Sequence, residues 1–283
     1  MRLVSFAGGF GRIEGESVVP MGQDIVAYLR GTQPGRDATP RPLGDVVLGA
    51  PVPNPSKIIC VGLNYYDHAT EAGFTAPDEP VLFAKYPNCL VGSNADIVVP
   101  DICSAVDYEA ELGLVIGRTA SRVSAAHALD YVAGYMCVND VSDRVLQMRG
   151  SQWTRGKTVD TFLPAGPWLT TADEVEDPQA LEIRCLVNGE VRQAASTSQM
   201  IFGLAELVSF ISQTITLQPG DLIATGTPEG VGMGSNPPRY LNAGDEVVVE
   251  IEGVGSIRNR VRSERAGEMV PDQAKGDRVR VYD

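Results

Sequence analysis

A pair of carboxylates interrupts a stretch that otherwise has the composition of a buried strand, residues 106–117 (VDYEAELGLVIG). Alternate side chains of a strand share a face, so Glu109 and Glu111 point the same way and lie about 7 Å apart. When both are partly desolvated, the two charges repel each other unless a cation lies between them. A metal site and a hydrated strand face both fit this pair, and the pair alone leaves both interpretations open.

Asp140 supplies a third carboxylate in the segment VNDVSDRVLQ, where a strand is predicted to run into a helix. With Glu109 and Glu111 it would complete a set of oxygen ligands suited to a hard divalent cation. The alternative is helix capping, a role that Asn139, Asp140 or Ser142 could fill. Only two histidines occur in the sequence, which excludes a three-histidine zinc site within one chain. A metal site here would therefore favour Mg²⁺ or Mn²⁺.

Three further side chains near these segments could act on an anion. Arg144 follows Asp140 by one helical turn and Gln147 lies three residues beyond, so both can reach an anionic substrate. Lys157, in QWTRGKTVD, could stabilise a developing enolate or bind a carboxylate. A solvated loop lysine is the alternative for Lys157.

His68 and Glu71 are three residues apart in a short predicted helix, YDHATEAG, and this spacing brings them onto one helix face. A carboxylate that orients an imidazole makes it a better general base toward water. An incidental ion pair on a surface helix would give the same pattern.

The segment TGTPEGVGMG is rich in glycine but lacks the lysine of a P-loop. We therefore expect a tight turn that closes a pocket rather than a nucleotide site. Thr225 or Thr227 would act as a hydrogen-bond donor there.

The composition is that of an ordinary globular protein, with 283 residues of which 43% are apolar and 21% charged. The formal net charge of −13 disfavours nucleic-acid binding, which depends on clustered Lys and Arg. No apolar run reaches membrane-spanning length, and the N-terminus lacks the pattern of a signal peptide. Five scattered cysteines indicate reduced packing thiols, so we expect a cytoplasmic protein.

Strands dominate the elements that must position these side chains. An Asn-Gly pair between two extended runs, LEIRCLVNGEVRQAAST, predicts a hairpin, and no βαβ alternation or fixed-period repeat indicates a Rossmann fold or TIM barrel. We predict an α+β, β-dominant fold. Its parts would be a small N-terminal β-rich domain over residues 1–53, a catalytic domain over 54–264 and a polar C-terminal tail or edge strand over 265–283.

Five segments resemble the fumarylacetoacetate hydrolase (FAH) family in order and spacing: GLNYYDHATEAG, VDYEAELGLVIG, NDVSDRVLQ, QWTRGKTVDTFLPAGPWL and GDLIATGTPEGVGMG. The resemblance covers about residues 55–262 and points to the branch of acylpyruvases and 2-hydroxyhepta-2,4-diene-1,7-dioate isomerases. It implies a mixed β-roll of packed sheets with a small N-terminal domain, assembled as a homodimer. Where the family often reads NDVSARDLQ, this chain has Asp143 and Val145, which changes the surroundings of Arg144 and leaves the metal site intact.

The resemblance also implies a role for each candidate residue. Three carboxylates would hold Mg²⁺ or Mn²⁺: Glu109, Glu111 and Asp140. Three residues would be catalytic: His68, Glu71 and Lys157. His68 and Glu71 would form a water-activating dyad on a lid segment. Three would contact substrate oxygens: Arg144, Gln147 and Thr227.

The implied reaction is hydrolysis of a C–C bond in a 1,3-dicarbonyl acid of the acylpyruvate or fumarylpyruvate type, through an enolate, as a step in aromatic-compound catabolism. The same site would support oxaloacetate decarboxylation, isomerisation of a 2-hydroxy-dienoate or dehydration of a 2-keto-3-deoxy sugar acid, since each proceeds through such an enolate. The presence of both His68 and Glu71 favours hydrolysis. A non-catalytic metal- or ligand-binding protein on this fold is a further alternative, and intact candidates for every catalytic role argue against it.

Overall fold

The computed structural model describes residues 1–35 and 39–265. Within these residues the chain forms eighteen strands and five α-helices. The strands are β1 (Arg2–Phe6), β2 (Gly9–Glu14), β3 (Ser17–Gly22), β4 (Arg41–Pro42), β5 (Ile58–Gly62), β6 (Val81–Lys85), β7 (Leu90–Val91), β8 (Ile97–Val99), β9 (Val106–Asp107), β10 (Ala110–Ile116), β11 (Val132–Asn139), β12 (Ser142–Asp143), β13 (Leu163–Thr171), β14 (Glu182–Val187), β15 (Glu190–Ser196), β16 (Leu222–Ala224), β17 (Glu246–Ile251) and β18 (Gly255–Ser263). The helices are α1 (Ile25–Leu29), α2 (Tyr66–Glu71), α3 (Arg144–Gln147), α4 (Thr154–Lys157) and α5 (Leu204–Thr214).

Two mixed sheets account for most of the described strands. The larger has the order β4–β3–β2–β1–β13–β11–β10–β16–β5–β6, with β7 added beside β13. Its pairs are antiparallel except β16 with β5 and β7 with β13. The smaller has the order β15–β14–β17–β18–β8, and β12 forms a short ladder with β9. The predicted α+β, β-dominant fold of packed sheets is confirmed.

The central strands of the larger sheet are covered on both faces, and every residue of β10 is buried. Leu112 and Leu114 belong to a core that includes residues of the smaller sheet and α5. Val115, on the opposite face of β10, belongs to a second core with residues of α1, β5 and β13. A strand buried on both faces can keep charged groups only where other polar groups meet them.

The stretch predicted as one strand over residues 106–117 is interrupted in the structure. Tyr108 and Glu109 lie between β9 and β10. The Glu109 backbone N–H donates to the Asn139 side chain over 3.0 Å, and the Asp140 N–H donates to the Glu109 carbonyl over 2.9 Å. The break brings Glu109 and Asp140 together at the edge of the β10–β11 pair.

The N-terminal strands continue the larger sheet, because β1 pairs with β13 through Arg2 with Thr170 and Leu3 with Leu169. The predicted boundaries at residues 53/54 and 264/265 stay predictions, and residues 266–283 of the predicted tail lie outside the described residues. Within residues 1–35 and 39–265, none of the helices combines the length and the apolar character needed to cross a membrane.

Candidate active site

Three buried carboxylates meet where β10 begins and β11 ends. Each of Glu109, Glu111 and Asp140 offers an oxygen, and these oxygens all lie within 4.8 Å of one another. Their exposed fractions are 5%, 1% and 0% respectively. The hydrated strand face considered for the two glutamates is therefore wrong, because water does not cover them.

Three cationic side chains surround this cluster. The Lys157 Nζ donates to Glu109 Oε2 over 2.6 Å and to Asp140 Oδ2 over 2.9 Å. The Lys85 Nζ donates to Asp140 Oδ1 over 2.6 Å, and the Arg144 Nη1 donates to Glu109 Oε1 over 2.6 Å. Lys157 is 2% exposed, so the solvated-loop alternative for it is wrong.

Glu111 is the member of the three that accepts from a backbone N–H, that of Gly226 at 2.9 Å, rather than from a cation. Burial raises its pKa well above the ordinary value, and the nearby charges of Asp140 and Glu109 raise it further. Burial also opposes the charged form of Glu109, but Lys157 and then Arg144 outweigh it and lower that pKa to about 2. A crowded carboxylate beside two others fits a hard divalent cation, which would compensate its charge through the oxygen donors that Mg²⁺ and Mn²⁺ prefer.

The predicted dyad residues lie together on α2. His68 Nδ1 is 3.5 Å from Glu71 Oε2, and it has no hydrogen-bond partner among the described residues. The backbone N–H of Gly230 donates to both Glu71 oxygens over 3.1 Å. The glycine-rich segment therefore lies against the carboxylate that can orient the imidazole, and a short 3-10 helix over Gly232–Gly234 stands where a tight turn was expected.

The substrate-contact candidates differ in how free their polar atoms are. Arg144 Nη2 is buried and finds no partner in the described chain, whereas its Nη1 also donates to Gln147 Oε1 over 3.1 Å. The Thr227 hydroxyl donates to the Ala110 carbonyl over 2.9 Å and accepts from Gln193 over 2.8 Å. Arg144 thus has an N–H group available to donate to a ligand, whereas the Thr227 hydroxyl already donates its proton to a backbone carbonyl.

A cavity of about 80 Å³ opens over this group of residues. Its polar wall consists of His68, Glu109, Glu111, Arg144, Gln147, Lys157 and Thr227. Its apolar wall consists of Val61, Gly62, Leu63, Ala72, Phe74, Phe83, Met148, Trp153 and Met233. The Phe83 and Trp153 rings meet edge to face with centroids 5.4 Å apart. Seven of the nine predicted site residues line the cavity, and the other two, Glu71 and Asp140, contact His68 and Lys157 behind the wall.

Asp143, which departs from the family pattern, has a structural role. Its Oδ1 accepts from the Leu146 N–H at 2.7 Å, and its Oδ2 accepts from the N–H groups of Ser104 and Ala105 at 2.7 and 2.8 Å. The N-cap of α3 is thus Asp143, so the capping alternative for Asp140 is wrong. Val145 is 39% exposed and does not line the cavity described above.

Sequence reasoning assigned no role to two buried charges at this site. Lys85 ends β6 at 1% exposure, and Asp107 ends β9 at 0% exposure and accepts from Arg144 Nε at 2.8 Å. The sequence signal for them was a single lysine in the apolar run VLFAK and an aspartate in VDYEAELGLVIG. Charged residues in such apolar runs indicate buried ion pairs, because charged residues are rarely fully buried without a partner.

The chain is similar to enzymes of one family. Residues 57–262 match the family model described as fumarylacetoacetate (FAA) hydrolase C-terminal. The mitochondrial oxaloacetate tautomerase FAHD2A of Bos taurus is 47% identical over 222 residues, covering 78% of this chain and 71% of that protein. The structure of 2-hydroxyhepta-2,4-diene-1,7-dioate isomerase from Mycobacterium marinum is 41% identical, with a TM-score of 0.81, covering 95% of this chain and 100% of that chain. That of a fumarylacetoacetate hydrolase from Exiguobacterium antarcticum is 36% identical, with a TM-score of 0.85, covering 93% and 100%.

Proposed function

Because the chain belongs to the fumarylacetoacetate hydrolase family, we propose that it catalyses keto–enol tautomerisation of a 2-oxo acid of the oxaloacetate class with the help of a divalent cation. The observation that best supports this is the position of His68, an acid–base group that lines the same cavity as Glu111, Arg144 and Lys157. Tautomerisation requires only that a proton leave carbon and another reach oxygen. The relative named oxaloacetate tautomerase, at 47% identity, favours the same reaction.

Glu109, Glu111 and Asp140 would hold the cation, which supplies Lewis-acid polarisation of a 2-oxo group when bound. Burial lowers the pKa of Lys157, but the charges of Asp140 and Glu109 outweigh this and raise it. Lys157 is therefore an ammonium group at neutral pH and can stabilise charge that develops on an enolate oxygen. The unpartnered Arg144 Nη2 would hold the substrate carboxylate.

His68 would move the proton. Glu71 Oε2, 3.5 Å from His68 Nδ1, is placed to hold a proton on Nδ1, which leaves the Nε2 lone pair to act as base. In the keto-to-enol direction Nε2 takes a proton from C3, the C–H electron pair forms the C2–C3 double bond, and the C2–O π pair passes to the oxygen. The imidazolium then releases its proton, directly or through water, to that oxygen. The reaction is redox-neutral and reversible, and the imidazole returns to its starting state.

The test is the rate at which the ultraviolet band of enol-oxaloacetate decays, measured with Mg²⁺ or Mn²⁺ and enzyme against the same metal without enzyme. We expect the enzyme to accelerate decay beyond the metal-only rate, and EDTA to abolish that acceleration. The variant His68→Ala should decay at the metal-only rate. A wild-type rate equal to the metal-only rate would remove tautomerisation from consideration.

Hydrolysis of an acylpyruvate, the activity predicted first from the sequence, is a second candidate. It is favoured by the apolar wall of Phe74, Phe83 and Trp153, which would contact an acyl group. His68 would deprotonate water, the hydroxide would add to the distal carbonyl, and the C–C electron pair would pass to the pyruvate enolate, which is then protonated.

Loss of acetylpyruvate with equimolar pyruvate would establish this activity. Decay of enol-oxaloacetate without pyruvate would favour tautomerisation over decarboxylation.

The metal identity, the homodimer and the cytoplasmic location stay predictions. The relative from Bos taurus is named mitochondrial, so location does not follow from family membership.

A further inference from the structure

Asp107 is fully buried and accepts four hydrogen bonds, two at each oxygen. Its Oδ1 accepts from the backbone N–H groups of Tyr108 at 2.9 Å and Gly232 at 2.7 Å. Its Oδ2 accepts from the backbone N–H of Met233 at 2.9 Å and from Arg144 Nε at 2.8 Å. One carboxylate therefore joins the glycine-rich segment to the arginine of the cavity.

The contact with Arg144 determines which way the guanidinium faces. Asp107 holds Nε, while Glu109 and Gln147 hold Nη1 at 2.6 and 3.1 Å. Because a guanidinium is planar, fixing these two nitrogens fixes the third. The result is that Nη2, which has no partner among the described residues, is held in one position on a residue that lines the cavity.

The glycine-rich segment over residues 230–234, which is hydrogen-bonded to Asp107, also contacts Glu71. The Gly230 N–H donates to Glu71, and a Cβ added at Gly234 would lie 2.0 Å from Glu71 Oε1. A Cβ at Gly232 would lie 2.6 Å from Asp107 Oδ1. Glycine at these two positions therefore lets the backbone approach both carboxylates closely.

We propose that Asp107 is a positioning residue that aligns Arg144 toward the substrate and fixes the Gly230–Gly234 segment against Glu71. Asp107 does not line the cavity, and it forms no hydrogen bond with Glu109, Glu111 or Asp140. It therefore acts through Arg144 and this segment. The proposal rests on the proposed function in one respect, that Arg144 holds the substrate carboxylate.

The test compares Asp107→Asn with a matched variant, Asp221→Asn. Asp221 is also 0% exposed. It accepts from the Gln218 N–H at 2.6 Å and the Ser56 hydroxyl at 2.5 Å, and it pairs with Lys57. These residues do not line the cavity, so Asp221→Asn reports the general effect of neutralising a buried aspartate.

The first readout needs no turnover: the ¹⁵N resonance of Arg144 Nε, assigned by its loss in Arg144→Lys. We expect it to shift or broaden in Asp107→Asn and to stay in place in Asp221→Asn. In the wild type its N–H should exchange slowly with solvent, a measurement that stands even if Asp107→Asn does not fold. Fast exchange, or an unchanged resonance in Asp107→Asn, would overturn the proposal.

The second readout is kinetic. Loss of a charged hydrogen bond at Arg144 should raise KM for oxaloacetate about tenfold in Asp107→Asn, while Asp221→Asn stays within about twofold. In an Arg144→Gln background, Asp107→Asn should change KM by less than about twofold. Equal KM changes in both aspartate variants, or full additivity with Arg144→Gln, would show a merely structural role and overturn the proposal. A shifted Arg144 resonance in an enzyme without oxaloacetate turnover would instead refute the proposed function and leave the positioning role supported.

Discussion

Glu111→Gln tests whether the carboxylate cluster is a metal site. Glutamine keeps the shape of Glu111 and can still accept from Gly226 through its amide oxygen. The substitution removes the one charge of the three that is not hydrogen-bonded to Lys85, Arg144 or Lys157. We expect opposite effects without and with metal: the metal-free protein gains stability, and the metal-loaded protein loses most of its metal-dependent stabilisation.

The separation of the oxygens sets the magnitude. At the upper limit of 4.8 Å and an effective dielectric constant of about 20, two unit charges repel by about 3.5 kcal/mol, and closer oxygens repel by more. Glu111 has two such neighbours, and Lys157, which contacts both of them, offsets part of the repulsion. A cation bound at Glu111 gains an attraction at least as large as one such repulsion. Taking about 3 kcal/mol as its net value after desolvation, loss of this anionic ligand weakens cation binding roughly hundredfold.

The pH dependence of the metal-free protein has a definite sign. The Glu111 pKa is raised in the folded state by burial and then by Asp140 and Glu109. Its stability contribution is therefore present below the ordinary carboxyl pKa and lost as the pH rises through the folded-state pKa. The advantage of metal-free Glu111→Gln over the wild type should grow as the pH rises.

The assay is thermal unfolding with EDTA and with Mn²⁺ at a hundred times the wild-type dissociation constant. Mn²⁺ should stabilise the wild type by about 2.7 kcal/mol, a rise of about 5 °C for a chain of this size. At the same concentration Glu111→Gln should gain about 0.4 kcal/mol, or about 1 °C. Glu250→Gln, on an exposed strand position, should behave as the wild type. Equal Mn²⁺ increments in wild type and Glu111→Gln would refute the metal-site reasoning.

Three further predictions concern the dyad, the glycine-rich segment and the thiols. His68→Ala should lower the catalysed rate by at least about a hundredfold and leave the Mn²⁺ melting increment unchanged. Gly234→Ala places a Cβ 2.0 Å from Glu71 Oε1 and should lower kcat about tenfold, whereas Gly150→Ala, with open space around its Cβ, should not. Burial raises the pKa of Cys103 to about 12, so at pH 8 native protein should react slowly with a chromogenic disulfide, and all five cysteines should react after unfolding.

Local patterns were sufficient where neighbours in sequence determine the structure. Asn188 and Gly189 take φ values of 53° and 79°, as a two-residue hairpin turn of type I′ requires, and the β14–β15 hairpin follows. The spacing of His68 and Glu71 likewise placed the pair on one face of α2. In both cases the contact spans a single turn, so chain geometry alone decides it.

Contacts between distant segments could not be derived in this way. Lys85 meets Asp140 across 55 residues, and Gly232 meets Asp107 across 125. Sequence spacing does not say which strands become neighbours, and β10 lies between β11 and the much later β16. The interruption at Glu109 depends on the same long-range packing, since the Asn139 side chain takes the Glu109 N–H.

The charges of the cluster explain why a cation would matter for substrate binding as well as for chemistry. Four buried carboxylates are joined there by close contacts to three buried cations: Asp107, Glu109, Glu111 and Asp140 with Lys85, Arg144 and Lys157. When Glu111 is ionised, three positive charges less four negative ones leave −1, which repels a 2-oxo acid. A divalent cation changes that sum to +1. In a low-dielectric cavity the attraction or repulsion of a charged substrate is stronger than it would be in water. The carboxylate that lacks a cation partner thus makes substrate affinity depend on the metal: oxalate, a small dicarboxylate, should bind measurably with Mn²⁺ and not with EDTA.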